Sequence, residues 1–535
     1  MQTTYLKVTS ADGRNQEENM SDLKQIVESQ KGLFEVLKKA ADGEIKVPEV
    51  KPACGVFGIL IQRNDLLATR IRITGGELAV GKMLFLAKLA GKLKPGFIHF
   101  TSRQDIQFHD VAPAAAAEVV RACTANGLPF RGGGGDSLRN ISSSVFAGVA
   151  PDGSADLIPY ARYLTDVIFD WDEAFHLPRK LKVGFASEND SALALRQDLG
   201  FVETRNAKGK LGFKVYGGGG FGRNPALGIP LISFVPPSGL ARAARAMVEL
   251  FSEHGDRANR GTARIRYIVA RLGKAEFKKL YMGYYRKLEN REFPSIPEFP
   301  SDWNARTTVS FALPECCGAE DADYRRWLRF ATRKTRFKGE SSVLLFVPKG
   351  VLSVTGFRRL ADLLNRFGVP AVRLTIEQNL LLPAFPREAL PAFYEALKTL
   401  PEDLIFSSFR GQLDACIGAT VCKAGILDTP RYAVEVSDAL DEYFRKHPAR
   451  FTAERANAIV EGLHFSGCPN SCASHQAVRF GFQGFRKKIG EALVDGFTVW
   501  RNPSGKPIGT EAPEFIPASE LPAKVLSLLK ESKIL

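Results

Sequence analysis

GELAVGKMLFLAKLAGKLKPGFIHFTSRQ, residues 76–104, lies without a gap on GVLSVTGFRRLADLLNRFGVPAVRLTIEQ, residues 350–378. The offset is 274 throughout, and Gly76, Leu78, Val80, Leu86, Ala87, Leu89, Thr101 and Gln104 meet identical residues. A second echo pairs GFKVY (Gly212 to Tyr216) with GFTVW (Gly496 to Trp500). Such a repeat implies duplication, and so a pseudo-two-fold molecule whose copies face each other and can enclose a ligand. The copies are unequal. Arg103 matches Glu377, four of the cysteines lie far into the second copy, and the densest Arg/Lys motifs lie in the first. One site has been kept and divided: one half supplies metal ligands, the other anion-binding charge.

Around the repeat the pattern alternates between strand and helix. GVFGILIQ and ATRIRIT read as strands, with Gly75-Gly76 as the turn after them; GKMLFLAKLAG reads as a helix and GFIHFTSRQDIQFHDV as a further strand. The expected class is α+β. LKQIVESQKGLFEVLKKAA (Leu23 to Ala41) has helical spacing and is expected to pack on the surface. REFPSIPEFPSDW (Arg291 to Trp303) reads as a linker between the halves.

At 535 residues the chain holds roughly three or four domain-sized units. The formal charge of +15 suits nucleic acid, anionic lipid, an acidic protein or an anionic ligand, but there is no long Lys/Arg run, so a nucleic-acid tail is disfavoured. Eight cysteines in a chain this long do not make a disulfide scaffold. No secretory signal is expected at the polar N-terminus, and no apolar run approaches the roughly 20 residues of a membrane helix. The expected compartment is the cytoplasm.

The cysteines carry the metal chemistry. Five residues separate Cys416 from Cys422, and three separate Cys468 from Cys472. Soft thiolates grouped this way suit an iron–sulfur cluster or zinc. Zinc sites usually have two to four residues between paired ligands, so the five-residue gap counts against zinc. Gly418, Ala419 and Gly467 are small enough to let backbone approach a cluster, and Pro469 stiffens the second loop. The adjacent Cys316 and Cys317 read as structural.

Basic residues recur in TRIR (69–72), TSRQDIQFH (101–109), LRNIS (138–142) and LPRKLK (177–182), near the Gly-rich RGGGGD (131–136). Alternation puts Arg70 with Arg72 on one face, and Lys180 with Lys182 on one face with Arg179 opposite. Any one segment reads equally well as a solvated edge; four together favour an anion pocket.

C-x5-C followed by C-x3-C with Pro-Asn in the second loop, together with TSRQDIQFH and LRNIS, resembles the sirohaem-containing sulfite and nitrite reductases. The resemblance covers most of the chain beyond residue 50. It implies ferredoxin-like half-domains plus two α/β domains of the sirohaem/Fe–S type. The divisions are then an extension at 1–50, a first ferredoxin-like half at 51–120, an anion- and sirohaem-binding domain at 121–290, a linker at 291–335, a second half at 336–400 and a cluster domain at 401–535. It implies a [4Fe–4S] cluster on Cys416, Cys422, Cys468 and Cys472, the last bridging to the sirohaem iron. Arg70, Arg139, Lys180 and Lys182 would hold the substrate oxyanion. Thr101, Ser102, Arg103, Gln107, Arg139, Arg179, Arg264, Gln378 and Asn470 would contact the macrocycle or its carboxylates, and Gly217 to Gly220 would let backbone approach closely. Relatives acting on sulfite tend to show Lys-x-Lys at the LPRKLK position and nitrite reductases Lys-x-Asn, so Lys182 favours sulfite over nitrite. Relatives often carry Arg where this chain has His99, which implies a carboxylate contact that titrates near neutrality. They also often carry a glycine-rich loop where this chain has RNPSGKP (501–507). Because the repeat uses the length of the chain, electrons must come from a partner: an acidic ferredoxin or flavodoxin, or a flavoprotein subunit using NADPH. A zinc or Fe–S protein that binds nucleic acid is the reading from a different class.

Overall fold

The structure is a computed structural model that describes residues 31–128, 130–297, 306–313 and 321–535. Cys316, Cys317, the first turns of the Leu23–Ala41 helix and the end of the linker lie outside the described residues. The described part of that helix, Lys31–Ala41, packs on the surface as expected: Leu33 and Leu37 are buried against the central apolar core, and Glu35, Lys38 and Lys39 are exposed.

The duplication is visible in four five-stranded sheets. The first runs Ile59–Ile61, Leu67–Ile71, Ile106–Val111, Phe97–Phe100, and ends with Val351–Leu352. Its counterpart runs Thr332–Lys334, Glu340–Leu345, Leu380–Pro386, Ala371–Leu374, and ends with Glu77–Ala79. Each sheet therefore takes its last strand from the other half. The registers are related by the sequence offset: Leu352 faces Ile98, and Leu78 faces Val372. The helices that follow the exchanged strands, Val80–Leu93 and Val354–Arg366, pack together, and both halves share one apolar core.

The other two sheets repeat a topology of their own. Ser142–Ser143, Val183–Ala186 and Leu199–Arg205 are parallel, then Leu211–Gly217 and Ile229–Val235 are antiparallel. Asp414–Ala415, Leu463–Ser466 and Phe480–Ile489 are parallel, then Ala492–Arg501 and Thr510–Pro517 are antiparallel. The GFKVY/GFTVW echo has a packing cause. A Cβ at Gly212 would lie 2.2 Å from the Phe234 ring, and one at Gly496 would lie 2.5 Å from the Phe515 ring. Each glycine leaves the space that an aromatic ring of the neighbouring strand fills. These two sheets have separate cores flanking the central one.

Three local expectations change. GFIHFTSRQDIQFHDV is a hairpin, because Thr101 folds the chain back: its N–H reaches the Asp105 carbonyl (2.9 Å) and its hydroxyl accepts the N–H groups of Arg103 and Asp105. GVFGILIQ begins with a 3₁₀ turn at Gly55–Phe57 before its strand. LPRKLK is a bend outside the sheet strands: Leu181 bridges to Leu138, and the Lys182 carbonyl accepts the Leu199 N–H (3.1 Å).

Candidate active site

The two-fold junction sets the frame. Gln104 and Gln378, related by the repeat, both have left-handed backbone (φ +58° and +67°). Gln104 Nε2 donates to the carbonyls of Ser143 and Leu374 (both 2.9 Å). Gln378 Nε2 donates to Asp414 Oδ1 (2.6 Å) and the Ala415 carbonyl (3.1 Å), and its Oε1 meets His99 Nε2 (3.0 Å). Each glutamine ties a ferredoxin-like half to the first strand of one flanking sheet. Ser143 leads back to Arg139, and Ala415 leads on to Cys416.

The cysteine loops converge because their strands are parallel neighbours. Cys416 follows Asp414–Ala415, Cys468 and Cys472 follow Leu463–Ser466, and parallel strands end on the same side. Gly467 N–H donates to Cys416 Sγ (3.1 Å), as backbone does to a ligating thiolate. The small residues are needed: a Cβ at Gly418 would lie 2.5 Å from the Leu427 carbonyl, and one at Gly467 would lie 2.5 Å from Thr429 Oγ1. Burial, then Cys472, pushes the Cys416 thiol up to about 12, and burial also raises Cys468. These thiols keep their protons until a strongly positive centre displaces them. Among the described residues, no three of His, Cys, Asp and Glu converge on a single ion. Cys416 and Cys468 each feel Cys472, and Cys468 also feels Cys422, so the four thiols are neighbours able to share one soft-metal centre.

The cations meet Cys472 from the other half. Lys180 and Lys182 stand before the strand Val183–Ala186, and both feel Cys472 electrostatically. Burial, then Arg264 and Arg139, lowers Lys180 to about 7; burial, then Arg103 and Lys180, lowers Lys182 well below its ordinary value. Arg103 reaches Gln197 Oε1 (2.9 Å), and burial lowers it to about 10. Arg139 is buried and lowered strongly for the same reason, with Arg70 next as cause. Arg70 donates to the Gly133 carbonyl (2.9 Å), and its Nε is buried without a hydrogen-bond partner. Positive groups crowded and desolvated in this way are stabilised by an anion. A polycarboxylate macrocycle and an oxyanion substrate both meet that condition.

The arginines are not all free to serve it. Arg139 donates to the Gly134 and Gly135 carbonyls, and Arg72 to the carbonyls of Arg139, Arg131 and Leu138. RGGGGD thus faces the arginines with carbonyl oxygens and is not itself the anion cradle; its glycines let it pack on Gly55 and Gly58. Arg179 is paired with Asp136 (3.1 Å), and Arg264 is held by Asp198. Thr101 supports its turn, Ser102 is half-buried beside it, and Gln107 pairs in register with Arg70 and His99. Asn470 is exposed, and both its backbone and side chain hydrogen-bond to Cys468. A Cβ at Gly219 would lie 2.2 Å from the Leu195 carbonyl, and one at Gly220 would lie 2.9 Å from Arg264, so the VYGGGG backbone does pack closely.

His99 does not titrate near neutrality. Burial lowers it to about 4, and it is a neutral partner of Gln378. The RNPSGKP segment forms a turn closed by Asn502, whose Nδ2 donates to the Ala477 carbonyl (3.1 Å) and whose Oδ1 accepts the Lys506 N–H (3.0 Å). The sequence reading missed Asp198, Gln197, Gln104 and Asp414. Only Gln104 had a signal, as a position identical in the two copies of the repeat.

Known proteins give this arrangement a family. Two matches, described as nitrite and sulphite reductase 4Fe-4S domain (residues 134–288) and nitrite/sulfite reductase ferredoxin-like half domain (residues 61–126 and 337–400), together cover more than half of the chain. The chain belongs to the nitrite and sulfite reductase family, whose members carry sirohaem and a [4Fe–4S] cluster. The matched 134–288 segment contains no cysteine; Cys416, Cys422, Cys468 and Cys472 all lie in the second copy of that topology. The chain is similar to the ferredoxin–nitrite reductase of Synechococcus elongatus (26% identity over 83% of this chain and 81% of that protein). It is also similar to the sulfite reductase [NADPH] hemoprotein beta-component of Acidithiobacillus ferrooxidans (26% over 78% and 73%). The solved structure of the Mycobacterium tuberculosis NirA protein shares the fold, with a TM-score of 0.75, 20% identity, and 95% of this chain and 92% of that one covered. Among the described residues no helix is long and apolar enough to cross a membrane.

Proposed function

We propose that the protein reduces sulfite to sulfide, taking up six electrons and six protons and releasing three waters. The observation that carries this reading is the pair Lys180 and Lys182 beside Arg139 and Cys472. Sulfite can carry two negative charges and nitrite one, so two ammonium groups suit sulfite better. When bound, sirohaem coupled to the cluster supplies one-electron transfers and back-bonding that weakens S–O or N–O bonds.

The remaining work belongs to the chain. Cys416, Cys422, Cys468 and Cys472 would hold the cluster, and Cys472 would couple it to the sirohaem. Arg70, Arg139, Lys180 and Lys182 bind and orient the oxyanion and stabilise its developing charge. Lys180, lowered to about 7, gives protons to departing oxygens near neutrality. Thr101, Ser102, Arg103, Gln107, Arg179, Arg264, Gln378 and Asn470 surround the macrocycle. An acidic one-electron carrier, of the ferredoxin or flavodoxin kind, meets the basic chain, and a flavoprotein subunit is the other donor. The cytoplasm is the compartment this reading takes, and the domain divisions are those given above.

Reduction of nitrite to ammonia is the second reading, supported by relatives named as ferredoxin–nitrite reductases. Rates with both oxyanions and one artificial donor test the choice. A specific activity for nitrite more than about tenfold that for sulfite, compared as kcat/KM, overturns the first reading.

A further inference from the structure

The hairpin of Phe480–Ile489 and Ala492–Arg501 is buried at its root and bare at its end. Phe480 to Gly484 are buried, whereas residues 485–493 are all exposed. Register pairs Phe485 with Gly496, Lys487 with Val494 and Ile489 with Ala492. Side chains alternate across a strand, so Phe485, Lys487, Ile489, Ala492 and Val494 share one face. Phe485, Ile489 and Leu493 are three of the five large apolar side chains most exposed among the described residues, at 40%, 48% and 65%. Lys487 shares the face of Phe485 and Ile489 and lies over the Phe515 ring; Leu493 pairs with Lys488 on the opposite face, Arg486 is paired with Asp495 (2.6 Å), and Glu491 is exposed at the turn.

The root of this ribbon touches the cysteine loops. A Cβ at Gly484 would lie 2.7 Å from the Gly467 carbonyl oxygen, and Gly467 both precedes Cys468 and donates its N–H to Cys416 Sγ. From Gly484 to Ile489 an extended strand covers about 17 Å. The ribbon is therefore one piece of backbone that runs from the peptide beside the metal ligands to an apolar, lysine-bearing surface.

We propose that this ribbon is the docking strip for an acidic electron-carrier protein. Lysines flanking an apolar centre match a partner whose carboxylates surround its own exposed redox centre. Docking along the exposed part of the ribbon places the donor within about 17 Å of the loop that holds Cys468. The inference rests on the reductase reading above, and the test separates the two.

The experiment uses the full-length holoenzyme, a plant-type [2Fe–2S] ferredoxin as the probe, and reduced methyl viologen as a donor that needs no docking. Three proteins are compared: the natural chain, Lys487→Glu/Lys488→Glu, and Ile489→Ser/Leu493→Ser. The charge reversal is expected to raise the ferredoxin KM by about tenfold, and the apolar change by about threefold, with viologen-driven turnover kept within about twofold. Raising salt should shrink the effect of the charge reversal, since exposed charges are screened. Unchanged ferredoxin KM and unchanged ferredoxin binding by titration in both variants overturn the proposal. A shift of oligomeric state in the variants with ferredoxin binding intact also overturns it, since the ribbon then joins copies of the chain. Loss of both sulfite and nitrite turnover with viologen in the natural chain overturns the reductase reading instead, and titration of ferredoxin binding still decides the docking question.

Discussion

Asp198 holds Arg264 with three hydrogen bonds of 2.8–3.0 Å, and the same carboxylate accepts the backbone N–H of Lys182 at 2.8 Å. Asp198 is fully buried. One carboxylate therefore holds the Arg264 guanidinium and the backbone of Lys182, a lysine that feels Cys472 electrostatically. Removing one partner of a buried pair leaves the other charge uncompensated. Asp198→Ala should lower stability by about 3–5 kcal/mol, read from denaturant unfolding. Asp198→Asn keeps two hydrogen-bonding atoms and should lose less. If both variants unfold at the denaturant concentration of the natural chain, Asp198 is not the anchor described.

Lys182 is where the two substrates should separate. Lys182→Asn removes one positive charge facing the oxyanion and should move the ratio of kcat/KM for sulfite over nitrite toward nitrite by about tenfold. A ratio that stays constant while both rates fall would mean that Lys182 supports the pocket without choosing its substrate.

Stability should rise with pH above neutrality in the cofactor-free protein. Lys180 ordinarily titrates at 10.5, and burial beside Arg264 and Arg139 lowers it to about 7 in the fold. Between these values the unfolded chain binds the proton and the folded chain does not. The unfolded state carries more protons there, so folding becomes more favourable as pH increases through that window. Lys180→Met should reduce the slope of unfolding free energy against pH between 7 and 10. A slope identical in the two proteins would contradict the lowered value.

Metal content should follow the second pair of loops. Cys472→Ser should abolish turnover and lower the ratio of iron to protein. Cys123 is fully buried in the central core, away from these loops, and Cys123→Ala should cost about 1 kcal/mol with iron content unchanged. Normal turnover in the Cys472 variant would sink its assignment as the bridging ligand.

Gly76 and Gly350 should be equivalent in cost. Both have left-handed backbone, and a Cβ would lie 3.0 Å from the Leu374 carbonyl oxygen in one case and from the Phe100 carbonyl oxygen in the other. Alanine at either position should destabilise by roughly 1–3 kcal/mol from backbone strain alone, as measured by thermal unfolding. A neutral substitution at one position and a severe one at the other would show that the two junctions are not mechanically alike.

The duplication was legible because the repeat preserves what the junction needs: the glycines at 76 and 350, and the glutamines at 104 and 378, each carry a backbone that ordinary residues avoid. That the two cysteine loops would be neighbours was legible from their spacing, and the parallel strands Asp414–Ala415 and Leu463–Ser466 bring them together. The exchange of strands was not legible, since Glu77–Ala79 and Val351–Leu352 are too short to declare which sheet they join. Asp198 was hidden for a related reason. Its partners Lys182 and Arg264 are distant in sequence, and a carboxylate that neutralises a buried arginine looks like any surface aspartate until the fold is known. The role of the glycine-rich RGGGGD segment was not legible either: it packs on Gly55 and Gly58, and its carbonyl groups accept hydrogen bonds from the arginines.

The traded strands also govern the order in which the molecule can be built. Until Val351–Leu352 exists, the Phe97–Phe100 strand has an unpaired edge, and an unpaired edge is a template for the wrong neighbour. The amino-terminal half must therefore wait during synthesis for more than two hundred further residues before its sheet can close, a long-range pairing of the slow kind. The cysteine loops come later still. A fragment that ends near residue 290 is expected to aggregate alone and to become soluble when the remainder is supplied in the same cell. A centre held by those loops would form only at the last stage of assembly, after the cation-bearing half has been made.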